Sequence, residues 1–163
     1  PTIEMSDGDR ERLADAILGA PLGPAVVTPV PERLPVLDRM VRFDEIAERV
    51  LSQTCWHCHA DADFAQGEAG AGNTGGFGFE PRGVNLLDYT GVSAGYIADD
   101  GERRSLFAPD DGVPHLVRIL MARHHEVRGE TLEGYTGMPL GLPPLAIEDI
   151  QLVETWIAQG RPN

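Results

Sequence analysis

Cys55-Trp56-His57-Cys58-His59 decides how the chain is read. The pattern is C-x-x-C-H, and the chain has no cysteine outside it. On a helical turn, two thiols three residues apart lie on one side and reach one edge of the same flat group. The histidine after the second thiol turns its imidazole beneath that group. This is the attachment pattern of a c-type haem, with thioether bonds from Cys55 and Cys58 and iron ligation by His59. A disulfide between the pair would close a very short loop and stabilise little. Zinc would have to recruit His57, His59 or a remote histidine, and no second C-x-x-C or spaced His pair accompanies the motif. A thioredoxin-like thiol pair needs a βαβ setting, and no segment of strand period is present.

Upstream, Phe43, Ile46, Ala47, Val50 and Leu51 recur at helical spacing and predict a helix over 43–58. Asp44, Glu45 and Glu48 sit early, where the helix dipole favours acids. The motif falls at the end of this helix. Residues 20–37 hold Pro21, Pro24, Pro29, Pro31 and Pro35, a density no regular helix survives, and read as an extended linker lying on the surface or leading into the main domain, or as the tail of a preceding domain. Residues 6–19 read as a packing helix carrying Leu13, Ala14, Ile17 and Leu18, capped by Ser6 with Asp9 three residues on. Residues 1–40 are therefore an N-terminal helix and Pro-rich extension, and residues 41–163 the main domain.

Downstream, 60–85 is loop-like, with Gly67, Gly70, Gly72, Gly75, Gly76 and Gly78. It lacks the Lys-Ser/Thr of a phosphate-binding loop and no strand precedes it. Phe77 and Phe79 are expected to turn back onto the core or the cofactor. The backbone of 83–87 is expected to accept a hydrogen bond from the His59 ring, as ligating histidines usually require. A short helix is expected around 89–96. A stronger one spans 113–124, with Pro114 in its first turn and an apolar face from Val113, Leu116, Val117, Ile119 and Leu120. His124 and His125 end it, where solvated histidines suit the dipole. Residues 134–146 are irregular and hold Met138 between Gly137 and Pro139. The last helix covers 147–159 through Ile147, Ile150, Leu152, Val153, Trp156 and Ile157, and Gly160 stops it.

The fold expected is mostly α: a helical domain wrapped around one covalent haem, with long Gly/Pro-rich loops. At 163 residues it is one domain by length, and 19 Gly and 13 Pro fit the long connections. No apolar run is long enough to span a membrane. The start at Pro1, with no basic-then-apolar leader, suggests a removed leader or a piece of a longer protein. The net charge is −13, and every one of the 13 basic residues is Arg. Such acidity argues against nucleic acid and anionic membranes as partners. It gives either a self-repelling surface or a face that docks a basic or neutral redox partner. No Gly-x-Ser-x-Gly, H-E-x-x-H or matched nucleophile–base set is present, so an electron carrier or electron-transfer domain is expected rather than an enzyme.

Phe43 to Cys58, Gly83 to Tyr89, Ser105-Leu106-Phe107, Gly137-Met138-Pro139 and Pro144 to Gly160 together resemble monohaem class I-like cytochrome c domains. The likeness is to the type often fused to larger bacterial proteins, and it covers 41–162. It implies that Met138 is the sixth ligand to the iron and that the last helix packs against the first helix of the domain. It implies single-electron transfer with a redox partner protein or fused redox domain, in the periplasm or another extracytoplasmic compartment. The stretch from His59 to Met138 is longer than in compact cytochromes c. The rivals for the sixth position are His115, His124 and His125, or an open site that would permit peroxidase or sensing chemistry. A haem module of a larger redox enzyme is the further alternative. Met138 is preferred because its Gly and Pro neighbours make a rigid, irregular backbone.

Overall fold

Phe43, Ile46, Val50 and Leu51 are all buried, so the helical spacing that joins them does face a core. The computed structural model describes residues 6–19, 29–60 and 82–163. The expectations for Pro21, Pro24, the glycines from Gly67 to Gly78, Phe77 and Phe79 fall outside these residues, as do the side chains of Ala14, Ile17 and Leu18. The described chain is rich in helix, with little sheet.

Helix α1 is Asp7–Gly19. Its start is the expected capping arrangement: the Asp9 amide donates to Ser6 Oγ at 3.2 Å, and Ser6 Oγ donates to the Asp9 carboxylate at 2.6 Å. Helix α2 is a continuous run of three windings: an α turn Phe43–Ile46, a π-helical stretch Ala47–Cys55 and an α turn Trp56–His59. Helix α3 is Tyr89–Ala94, capped by Asp88, whose carboxylate accepts from the Gly91 amide at 2.7 Å. Helix α4 is His115–Glu126 and helix α5 is Ile147–Ala158.

The differences from expectation are local. Val113 and Pro114 precede α4 instead of opening it, because they form strand β4 (Val113–Pro114) against β3 (Pro109–Asp110). Likewise β1 (Tyr96–Ile97) pairs antiparallel with β2 (Arg103–Arg104). Two-residue strands are too short to write an alternating pattern into the sequence. Gly95 links α3 to β1 at φ +79°, and a Cβ there would lie 2.0 Å from the Arg104 carbonyl oxygen, so only glycine fits.

The core is built on Trp156, which is fully buried. Its ring meets Phe43 at 5.7 Å, Phe107 at 5.5 Å and Tyr89 at 6.2 Å. Phe43 and Tyr89 also meet edge-on at 5.5 Å. Thus α5 packs on the start of α2. The chain end is tied into this cluster: the Pro162 carbonyl accepts from Trp156 Nε1 and from the Phe43 amide, each at 3.0 Å. The Arg161 carbonyl accepts from the Tyr89 hydroxyl at 3.1 Å.

Residues 33–41 lie extended along α5. The Leu37 amide donates to Thr155 Oγ1 at 3.0 Å, the Val41 amide to Gln159 Oε1 at 2.9 Å, and Gln159 Nε2 to the Arg39 carbonyl at 2.8 Å. Gln151 Nε2 donates to the Pro35 carbonyl at 2.6 Å, and Arg33 pairs with Glu154. Extended backbone leaves its amides unpaired within the segment, and polar side chains of the helix supply the partners. Thr155 is fully buried although polar, because its hydroxyl serves the strap. Thr155→Val keeps the shape and orphans the Leu37 amide. It should cost about 1–2 kcal/mol in denaturant unfolding with the slope unchanged; an unaltered midpoint would show that the strap contributes nothing to stability.

Candidate functional site

The π winding of α2 sets the direction of the two thiols. In a π-helix the backbone bonds join residues five apart, whereas in an α-helix they join residues four apart. The Trp56 amide bonds to the Leu51 carbonyl, five residues back. Ile46, Val50 and Leu51 are buried, and Cys55 and Trp56 pack against the same cluster. Cys58 and His59 follow on the closing α turn, both partly buried.

The end of α2 is clamped by the segment 84–86. The Leu86 amide donates to the His59 carbonyl at 2.8 Å, and Trp56 Nε1 donates to the Leu86 carbonyl at 2.7 Å. The Val84 backbone accepts a hydrogen bond from the His59 ring. The acceptor thus comes from the segment that the sequence nominated. Burial lowers the pKa of His59 and outweighs the Val84 bond, which raises it, so the imidazole stays neutral at ordinary pH. A neutral ring with one nitrogen donating to backbone carbonyl has its other nitrogen's lone pair available to a metal.

Cys55 keeps some exposure as a residue, but burial around its sulfur pushes the thiol up to about 12, with the neighbouring Cys58 adding to the shift. That environment suits an uncharged sulfur. It opposes a nucleophilic or metal-binding thiolate, whereas a thioether carries no charge to desolvate. Cys55, Cys58 and His59 thus lie together at the end of α2, and they are the residues that would hold a covalently attached haem. Among the described residues, no group of three or more His, Cys, Asp or Glu side chains comes together to hold a metal ion.

Met138 is partly buried and packs against the same cluster as Cys55, Trp56 and Val84. It arrives from the loop after α4, and its amide donates to the Ile119 carbonyl at 3.0 Å. Each rival histidine has a neighbour within the chain, and His124, like His59, has a backbone carbonyl at one ring nitrogen. His124, expected to be solvated, is buried, and its Nε2 lies 3.0 Å from the Leu145 carbonyl. His125 pairs with Glu130 at 2.9 Å. His115 stacks on Tyr96 at 4.6 Å. A groove of about 560 Å³ separates Gln53, Thr54 and His57 on α2 from residues 142–146, so it flanks the motif.

Sequence reasoning missed Arg123 and Glu126, which fasten the Met138 loop. Their i,i+3 spacing on α4 is the only signal, and it reads as an ordinary helix-surface pair. Comparison with family models, curated proteins and solved structures returns no match to this chain.

Burial lowers the pKa of His115 and of His124 against the opposing pull of Asp110 and the Leu145 carbonyl respectively. The unfolded chain then binds protons that the folded chain refuses. The stability these two histidines contribute is present above about pH 6.5 and declines as pH falls below it. His124→Gln preserves a donor to Leu145 and removes the titration, so it should shrink the loss of unfolding free energy between pH 7 and pH 5. An equally steep loss in the variant would assign the effect elsewhere. In the chain free of cofactor, Cys55 should alkylate at neutral pH about a thousandfold more slowly than an ordinary thiol, read by mass spectrometry of the labelled peptide.

Proposed function

We propose that the chain is an electron-transfer domain that carries one covalent haem c, attached through Cys55 and Cys58 and ligated by His59 and Met138. The observation that carries this reading is the convergence at one helix end of Cys55, Cys58 and a partly buried His59 whose ring meets the Val84 backbone. When bound, the cofactor supplies a one-electron iron(III)/iron(II) couple. Cys55 and Cys58 would fix the macrocycle covalently at the end of α2. His59 would donate its free ring nitrogen, oriented by Val84. Met138 would hold the iron through its thioether, which favours the reduced state over a second imidazole. With both positions filled by the chain, exchange of outside ligands is suppressed and outer-sphere transfer is left. The acidic surface suits a basic or neutral redox partner, whether a separate protein or a fused domain. Covalent haem attachment of this kind belongs to an extracytoplasmic compartment such as the periplasm.

The test is expression of the full chain with a c-haem maturation system. One haem per chain should survive acidic organic extraction, and Cys58→Ala should reduce the covalent yield. The oxidised and reduced proteins should both be low-spin, and the reduced protein should bind CO slowly. Haem that extracts freely, or rapid CO binding by the wild type, would overturn the closed electron-transfer reading. Met138→Ala should open the sixth position; an unchanged spectrum would remove Met138 as the ligand.

A further inference from the structure

Residues 137–145 form no regular element, yet helix α4 fastens them along their length. The Met138 amide donates to the Ile119 carbonyl at 3.0 Å. The Gly137 amide donates to Glu126 Oε1 at 2.6 Å, and Glu126 Oε2 accepts from Arg123 Nη1 at 3.0 Å. Arg123 Nε reaches on to the Leu142 carbonyl at 2.7 Å. One ion pair therefore grips the loop both before and after Met138. Its side chains are shielded, with 17% and 22% exposure, so water competes little for these bonds. Gly137 lies so close to α4 that a Cβ would come within 2.6 Å of the Arg123 backbone. The contact thus depends on glycine at 137 and on the carboxylate at 126.

Methionine is long and unbranched, with three rotatable bonds, and it adapts to irregular gaps. Its thioether is held at a fixed point only if the backbone beneath it is fixed. His124 holds the far end of the stretch at the Leu145 carbonyl. Next to Met138, apart from the Ile119 bond, the polar groups of α4 that fix the backbone are Glu126 and Arg123. We infer that the Arg123–Glu126 pair is the positioning device for Met138, and that it sets how readily the sixth iron position opens to an outside ligand. The inference rests on the reading of Met138 as axial ligand. Neither residue is a catalytic group, because each acts through the loop backbone.

The experiment uses the oxidised full-chain haem protein. Its readouts are the rate of cyanide binding and the far-red methionine-to-iron charge-transfer band. Glu126→Ala should speed cyanide binding about ten- to hundredfold, the worth of one charge-assisted hydrogen bond, and weaken the band. Glu126→Gln keeps an oxygen acceptor for the Gly137 amide and should recover most of the wild-type rate. Arg123→Gln, which loosens the Leu142 end, should move both readouts as Glu126→Ala does and serves if that variant does not fold. Thr155→Val, which loosens the strap and touches none of the loop bonds, should leave the cyanide rate unchanged. Wild-type rates and band in both Glu126→Ala and Arg123→Gln would overturn the inference. So would an equal acceleration in Thr155→Val, which would reveal general loosening. A band that persists in Met138→Ala would instead overturn the ligand assignment beneath it.

Discussion

Burial of the Trp156 indole is the constraint on which the domain depends. Phe43 opens α2, Tyr89 opens α3, Phe107 sits in the turn before β3, and all three rings meet this one side chain. An indole carries a polar N–H that must be satisfied when buried, and the Pro162 carbonyl satisfies it. The same carbonyl takes the Phe43 amide, one of the unpaired donors at the start of α2. The start of α2 is thereby fixed against α5 and the chain end. The far end of α2, which bears the thiols and His59, inherits its direction from that anchor.

The helices were legible because their apolar residues repeat locally. Phe43, Ile46, Val50 and Leu51 announce α2, and Ile150, Val153 and Trp156 announce α5. The π winding was not legible, since the same residues satisfy an i, i+3, i+4 template. The strap along α5 was hidden for a different reason. Thr155, Gln151 and Gln159 bond to backbone more than a hundred residues away, and polar residues on a helix ordinarily read as solvent-facing. In the candidate site, Cys55, Cys58 and His59 were legible as a contiguous motif, and 83–87 as the acceptor stretch. His124 was misread as solvated because the chain that covers it, at Leu145, lies 21 residues on.

The arginines explain how so acidic a chain arranges its charge. Arg39 meets Glu45 through both terminal nitrogens, at 2.8 and 2.5 Å, and Arg49 meets Asp149 at 3.0 Å. Arg33, as already noted, joins the strap to Glu154. A guanidinium forks onto a carboxylate where an ammonium would make a point contact. These pairs are largely exposed, and each contributes little to stability in water. Their effect is to tie distant parts of the surface together while the excess of carboxylates keeps the remainder negative.

The π-helical stretch Ala47–Cys55 has a consequence for how this helix tolerates changes of length. Deleting one residue from an α-helix rotates everything beyond it by about 100°, which would swing a terminal motif off its face. A wide-wound segment holds more residues per turn than its neighbours. A single deletion there can be absorbed by tightening to ordinary α winding, with the flanking turns kept in phase. An insertion has no such reserve to draw on, because the segment is already at the wide limit of helical hydrogen bonding. The helix that presents the motif is therefore asymmetric in its indel tolerance, more forgiving of shortening than of lengthening.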